Sequence, residues 1–382
     1  MEASDTIFVA FKKAILGFLQ GFLPDWTVVI VSILISITAI AIFGPVTMMY
    51  LTWLERKVVG RIQNRYGPNR VGIFGLLQPI ADGVKMLTKE DIVPQAADKV
   101  THFLAPVIVV IPALLVFSVL PFGKGMAAVN LNVGLLFFLA ISTMSTIAIF
   151  MGSWGSRNKF SLLGGMRAVA QMVSYEIPMV MSVVPVILVT GSLSMVSIVE
   201  AQLGGKWFVF TPWGFFAAIV FFLCGVAEVN RTPFDLPEGE SEIIAGFHTE
   251  YSGMKFALFY MAEFMSAFAI SGLTATLFFG GWDGPFLPSW VWFLIKAYAM
   301  IFIMIWFRGT LPRFRVDQLM GFAWKLLLPF ALSNIFVAAL WQLLPAPQNL
   351  IVAGAAEAVV LVVIFVAARK DSPQKRTYIF AD

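Results

Sequence analysis

The 382-residue sequence predicts an all-α, polytopic integral membrane protein: one membrane domain of about nine transmembrane helices, with amphipathic helices at the interface. Three observations predict it. Hydrophobic residues make up 59% of the chain and charged ones 13%, with a mean hydropathy of +0.86; soluble domains carry about 25% charged residues. The apolar residues gather into runs of about 17 to 25, the length a helix needs to cross the bilayer. These runs do not alternate over about ten residues as barrel strands do, and only helices and closed barrels satisfy their backbone in lipid.

Taken in order, the first 27 residues come before any span. Lys12 and Lys13 interrupt the run from Thr6 to Leu23, and no small-residue cleavage site follows. This predicts an amphipathic helix on the membrane surface and not a cleavable signal peptide. Spans are expected at 28–52, 104–122, 133–152, 173–193, 213–229, 256–279, 290–307, 325–344 and 350–368, with a polar tail at 369–382.

The connection 53–101 has a pattern of its own. Leu54, Val58, Ile62 and Tyr66 recur every four residues beside a basic stripe of Lys57, Arg61 and Arg65, which predicts a helix lying in the interface. Gly67-Pro68 ends it. Leu76, Leu77, Ile80, Val84 and Leu87 then repeat the pattern, with Asp82 and Lys85 three apart on the polar side. Two such helices either anchor the chain or floor a chamber open sideways to lipid.

Basic residues set the expected orientation. Arg56, Lys57, Arg61, Arg65, Arg70, Lys85, Lys89 and Lys99 share one face with Arg157, Lys159 and Arg167 of the 153–172 connection. Arg308, Arg313, Arg315 and the basic C-terminal residues fall on the same face; the other has Lys12, Lys13, Lys124 and Lys206. The N-terminus is therefore expected outside and the C-terminus inside.

The stretch from Ala227 to Glu263 breaks the charge rule. Glu228, Asp235, Glu238, Glu240, Glu242 and Glu250 crowd the 230–255 loop and its entry, offset by Arg231 and Lys255 alone. Carboxylates at a bilayer boundary cost several kcal/mol each unless paired, hydrated or protonated, and crowding raises their proton affinity. The loop is either a solvated connector or a set of groups that moves charge. Glu176 at the head of the fourth span is an interfacial carboxylate or an extension of that set. Glu263 and Lys296 lie inside their spans, as a structural ion pair or as part of a relay. The RxRxD run, Arg313 to Asp317, suggests a basic hook whose aspartate holds one arginine.

Several chemistries are excluded. One cysteine, Cys224, and two histidines, His102 and His248, do not supply the four ligands of an iron–sulfur cluster or a structural zinc site. Neither a Walker phosphate loop nor a strand-borne dinucleotide fingerprint is present. No metal site is expected.

Four stretches are more specific: WLERKVVGRIQNRYGPNRVG (53–72), GLLQPIADGVKMLTKED (75–91), AEVNRTPFDLPEGESEIIAGFHTEYSGMKFALFYMAEF (227–264) and RGTLPRFRVDQLM (308–320). They closely resemble the membrane subunit of respiratory complex I that is called H in bacterial NADH–quinone oxidoreductase and subunit 1 in mitochondria. The resemblance runs from the first span to the eighth. It implies a subunit of a proton-translocating enzyme, at the junction with the peripheral arm, that forms the quinone access tunnel and starts a proton relay. Quinone is then the substrate, and iron–sulfur, flavin and haem groups belong to other chains. The implied partners are the peripheral-arm subunits that hold the terminal iron–sulfur cluster and quinone headgroup, the small and antiporter-like membrane subunits, and membrane lipid, with no nucleic acid.

On this resemblance the relay set is Glu176, Glu228, Asp235, Glu238, Glu240, Glu242, Glu250 and Glu263. The tunnel set is Glu55, Arg56, Arg61, Arg65, Arg70, Asp82, Lys85, Arg231 and Phe234. The ninth span and N-terminal extension exceed the short mitochondrial form, which favours a bacterial inner membrane with the N-terminus periplasmic and the C-terminus cytoplasmic. His248 stands where more variable residues are expected. The alternatives are the homologous subunit of a membrane-bound hydrogenase or formate-hydrogenlyase, and an ion-coupled transporter. The full ERK…GPN and EGESE motifs favour the quinone enzyme, and no inverted pair of broken helices of the transporter kind is evident.

Overall fold

The computed structural model describes residues 7–22, 24–237, 245–345 and 348–370, with side chains up to 363. Its regular elements are all helical: α1 (Ile7–Gln20), α2 (Asp25–Ile62), α3 (Gln78–Thr88), α4 (Lys99–Leu115), α5 (Gly134–Ser142), α6 (Met144–Gly155) and α7 (Lys159–Thr190). Then follow α8 (Met195–Glu200), α9 (Pro212–Glu228), α10 (Gly253–Phe278), α11 (Ser289–Thr310), α12 (Val316–Phe322), α13 (Leu328–Leu343) and α14 (Gln348–Lys370). Among the described residues, seven helices are long and apolar enough to cross a membrane when α5–α6 and α12–α13 are each counted as one; α9 and α14 are shorter apolar helices. Each of the nine expected spans falls on one of these nine.

Two elements differ from the sequence expectation. The stretch 53–66 is not a separate interfacial helix, because α2 runs unbroken from Asp25 to Ile62. No proline interrupts 46–62, so nothing stops the helix before Gln63 caps it. At 38 residues it is about 57 Å long, well beyond the roughly 30 Å apolar core, long enough for its amphipathic last third to reach past the bilayer edge. Likewise α7 begins at Lys159, capped by the Asn158 side chain, and takes in Lys159 and Arg167 that were expected in a connection. The N-terminal helix α1 packs against α2, with Lys12 Nζ donating to Ser36 Oγ at 2.8 Å.

The core forms around two helices. α7 packs against α6, α9 and α13, while α10 packs against α2, α4, α9 and α11. Trp213, Tyr175, Phe117, Phe138, Phe221, Phe268, Phe278 and Phe293 are fully buried between them. Small residues permit the close approach: a Cβ on Gly165 of α7 would stand 2.0 Å from Ser153 Oγ of α6. Lys296 does not pair with Glu263. Its ammonium donates to the carbonyls of Phe279, Gly281 and Asp283 at 2.7, 3.0 and 2.6 Å and lies over the Trp207 ring, tying α11 to the turn after α10.

After α2 the chain reverses through Asn64 at φ 57. The Gly67-Pro68 turn folds back on the helix end, where a Cβ on Gly67 would sit 2.8 Å from Arg56 O. This return places α3 beside α2, with Ile80, Val84 and Leu87 exposed.

Candidate functional site: a buried ion-pair hub and a carboxyl-lined cavity

The hub is built on Arg231, at the entry of the acidic loop. α9 ends at Glu228, and Asn230 turns the chain at φ 55. Gln171 of α7 fixes this turn: its buried Nε2 donates to Ala227 O and Phe234 O at 2.7 Å each and to Asn230 Oδ1 at 3.2 Å. Arg231 then points inward, 8% exposed. Its Nη1 donates to Glu55 Oε2 of α2 at 2.6 Å, its Nε lies 2.8 Å from Glu263 Oε1 of α10, and its guanidinium stacks over Phe264 at 4.0 Å. Arg308, at the end of α11, binds the other oxygen of Glu55. Burial alone would lower the Arg231 pKa, but Glu263 and Glu55 outweigh it and hold the guanidinium well above its ordinary range. Four segments far apart in sequence are joined by this one cluster.

Beside it lies a cavity of about 80 Å³ whose lining includes Glu228, Asn230, His248, Tyr260, Glu263 and the hydroxyls of Ser142, Ser145 and Ser266. Glu228 is buried, and its Oε2 has no hydrogen-bond partner among the described residues. Ser142 bonds the same carboxyl, and the charge of Glu176 acts on it. Glu176 accepts a hydrogen bond from Thr143, the residue between α5 and α6. Glu263 belongs to both groups, since it lines the cavity and pairs with Arg231. Burial pushes the His248 imidazole down to about 4, with Asp235 opposing, so it is neutral at pH 7.

The other expected site residues are more dispersed. Asp235 is buried and pairs with Arg313 at 3.0 Å; two of the three arginines of the 308–317 segment, Arg313 and Arg308, are thus gripped by Asp235 and Glu55 from elsewhere in the chain. Glu250 accepts from Asn158 Nδ2 at the head of α7. Asp82 pairs with Arg56 at 2.6 Å and accepts from Gln78 at 3.0 Å. Burial raises its carboxyl, but the Arg56 and Gln78 hydrogen bonds together prevail and hold it below the usual range. Arg61, Arg65, Arg70 and Lys85 are exposed. Phe234 is 2% exposed among the rings of Tyr175, Phe314 and Phe322, so it packs the loop entry and lines no part of the cavity. Glu238, Glu240 and Glu242 lie outside the described residues.

Sequence reasoning missed Gln171, Ser142 and Thr143, and did not foresee Arg308 as a partner of Glu55. A glutamine or hydroxyl inside an apolar run carries no periodic signal, and these contacts span 33 to 253 residues. The one available clue was a polar side chain at a position otherwise expected to be apolar.

Comparison with known proteins identifies the family of the chain. The family described as NADH dehydrogenase matches residues 35–339. A Dehalococcoides mccartyi (strain CBDB1) protein, named as the H subunit of NADH-quinone oxidoreductase, is 52% identical over 306 residues, covering 80% of this chain and 85% of that one. A Syntrophobacter fumaroxidans protein, named as the H 2 subunit of the same enzyme, is 48% identical over 328 residues, covering 84% and 98%. The H subunit of Anoxybacillus flavithermus is 51% identical over 323 residues, covering 83% and 96%.

Proposed function

The chain belongs to the NADH dehydrogenase family, and from that premise we propose that it is the membrane subunit that gives quinone access to a proton-translocating NADH–quinone oxidoreductase and starts its proton relay. The observation that carries this reading is the continuity of the buried site. Thr143 and Glu176 lead to Glu228, the cavity joins Glu228 to Glu263, and Arg231 joins Glu263 to Glu55.

The arrangement couples protonation to the ion-pair hub. A proton arriving on Glu263 removes one of the two carboxylates that hold Arg231. The guanidinium is buried and cannot turn to water, so its attraction falls on Glu55 alone. At an effective dielectric near 20, two unit charges about 4 Å apart attract by roughly 4 kcal/mol. Protonation removes an attraction of about that size between Arg231 and Glu263, and the hub that Arg231 shares with Glu55, Arg308 and the end of α2 readjusts to its loss. Neighbouring Arg56 holds Asp82 on α3, so the proton-binding side and the expected tunnel side share a boundary.

On the tunnel side, the exposed apolar residues of α3 suit an isoprenoid tail entering from lipid, and Arg56, Arg61, Arg65 and Arg70 suit contact with a peripheral arm. The redox centre and the quinone headgroup site belong to partner subunits, with Glu238, Glu240 and Glu242 completing the relay from the loop. The chain sits in a bacterial plasma membrane with its N-terminus periplasmic and its C-terminus cytoplasmic. Purification in mild detergent tests the assembly directly. The expected result is co-purification with iron–sulfur subunits and bound quinone, with NADH-to-quinone activity blocked by quinone-site inhibitors; a chain purified alone that transports ions in vesicles overturns it.

A further inference from the structure

The last hairpin holds a buried carboxyl outside the line of relay groups, beyond the residues 35–339 that match the family. α13 and α14 pack against each other, and α14 also meets α9 and the π turn Ala323–Leu327 that joins α12 to α13. The inward stripe of α13 is Phe330, Ala331, Asn334, Val337 and Ala338; that of α14 is Ala353, Ala356, Glu357 and Val360. Both stripes follow the helical period, and each contains a single polar residue. Asn334 stands nine residues before the end of α13, and Glu357 nine after the start of α14. In an antiparallel hairpin the two are therefore at one level, about 13 Å from the turn.

Glu357 is 1% exposed, and neither of its oxygens has a hydrogen-bond partner among the described residues. Asn334 is equally buried; its Nδ2 donates to Trp213 O of α9 at 2.9 Å, while its Oδ1 has no partner among the described residues. None of the described side chains of α9, α13 and α14 is a lysine, arginine or histidine. Lys325 of the π turn is exposed, nine residues from Asn334 and about 13 Å along the helix. Cys224 and Glu228, the titratable groups of α9, are eleven and fifteen residues beyond Trp213, about 16 and 22 Å. The chain itself covers the Glu357 carboxyl, so a cation from a partner subunit does not reach it. A buried carboxylate without counter-charge takes up a proton instead. Ionised, it only accepts hydrogen bonds and leaves the Asn334 amide oxygen unanswered; as an acid it has a donor to give. A hard metal cation takes about six oxygen ligands, and the three unanswered oxygens here are too few.

We propose that Glu357 and Asn334 form a proton-binding site apart from the relay, in which Glu357 stands as a neutral acid and donates its O–H to Asn334 Oδ1. The bound proton ties α14 to α13 and, through the Asn334 bond to Trp213 O, to α9. Its loss leaves an unpaired charge inside an apolar hairpin, so the site is a pH-sensitive clasp on α14.

The test is infrared difference spectroscopy of the intact, detergent-purified complex at pH 7, wild type minus variant. A protonated carboxyl has its own C=O stretching band, separate from the carboxylate bands. Glu357→Gln is expected to remove one such band, and Asn334→Leu to shift it, because the O–H loses its acceptor. NADH-to-quinone turnover stays near wild type in both, which separates this site from the relay and from assembly. Hydrogen exchange over residues 348–363, corrected for the intrinsic rate, reads the clasp. The opened hairpin releases the proton that the closed one holds, so protection in wild type should fall by at least about tenfold from pH 5 to pH 8. In Glu357→Gln it should stay flat. Carboxylate bands in place of the carboxyl band, a band unmoved by Asn334→Leu, or the same pH dependence in Glu357→Gln overturns the proposal. So does loss of the band on adding sodium chloride at constant pH, which marks a metal-cation site.

Discussion

Arg231 shows how a single residue is placed by physical necessity. A buried guanidinium needs counter-charge, and Glu55 and Glu263 approach it from two helices to supply it. Removing one partner of a buried pair costs about 3–5 kcal/mol, because the other charge is left uncompensated. Arg231→Gln is therefore expected to loosen α2 from α10 and lower the amount of assembled complex several-fold, as measured by native gel; Glu263→Gln, which keeps Glu55 on the arginine, should assemble. His248 gives a pH dependence with a definite sign. Its imidazole binds its proton at about 4 when folded and near 6.5 when unfolded, so the unfolded segment takes up more protons as pH falls. Local stability is then complete above about pH 6.5 and is lost from there down toward about 4. Hydrogen exchange at residues 246–249, corrected for the intrinsic rate, should accelerate between pH 7 and 5 in wild type and stay flat in His248→Phe. Little of this was legible in advance. The acidic loop announced itself by charge, but which carboxylate met which arginine depended on contacts across the fold.

At the scale of elements, hydrophobic length found the helices and charge misplaced some of their ends. The first span was expected to stop at 52 because charged residues begin with Glu55, yet charge does not break a helix. What ended α2 was the reversal at Asn64 and the Gly67-Pro68 turn, and both lie beyond the apolar run. The same holds at the head of α7, where Lys159 and Arg167 are helical residues. The return loop depends on one glycine. Gly75 stands at φ +81, and a Cβ there would lie 2.3 Å from Pro68 O. Gly75→Ala must therefore displace the loop at a cost above about 1 kcal/mol. The expected result is faster limited proteolysis between 63 and 77, together with poorer use of long-tailed quinones. Unchanged cleavage would show that the loop does not hold α3 in place.

At the scale of the whole molecule, the described residues form a largely apolar bundle crossed by a line of charged and hydroxyl groups. The sequence specified the bundle, because nine apolar runs leave few alternatives in lipid. It specified the members of the line only where family motifs carry them, such as Glu55, Arg231 and Glu263. Ser142, Thr143 and Gln171 became visible only once α5, α6 and α7 were packed. The central claim is that this line moves protons in step with quinone chemistry. Glu→Gln keeps size and much of the hydrogen bonding while removing the exchangeable charge. NADH-to-quinone turnover and proton uptake, recorded side by side in vesicles holding assembled Glu176→Gln, Glu228→Gln or Glu263→Gln complexes, measure the claim most directly. A blocked relay stalls the redox step that drives it, so both rates should fall together by about tenfold or more, equivalent to at least about 1.4 kcal/mol of barrier. Wild-type values of both rates in all three variants would contradict the account.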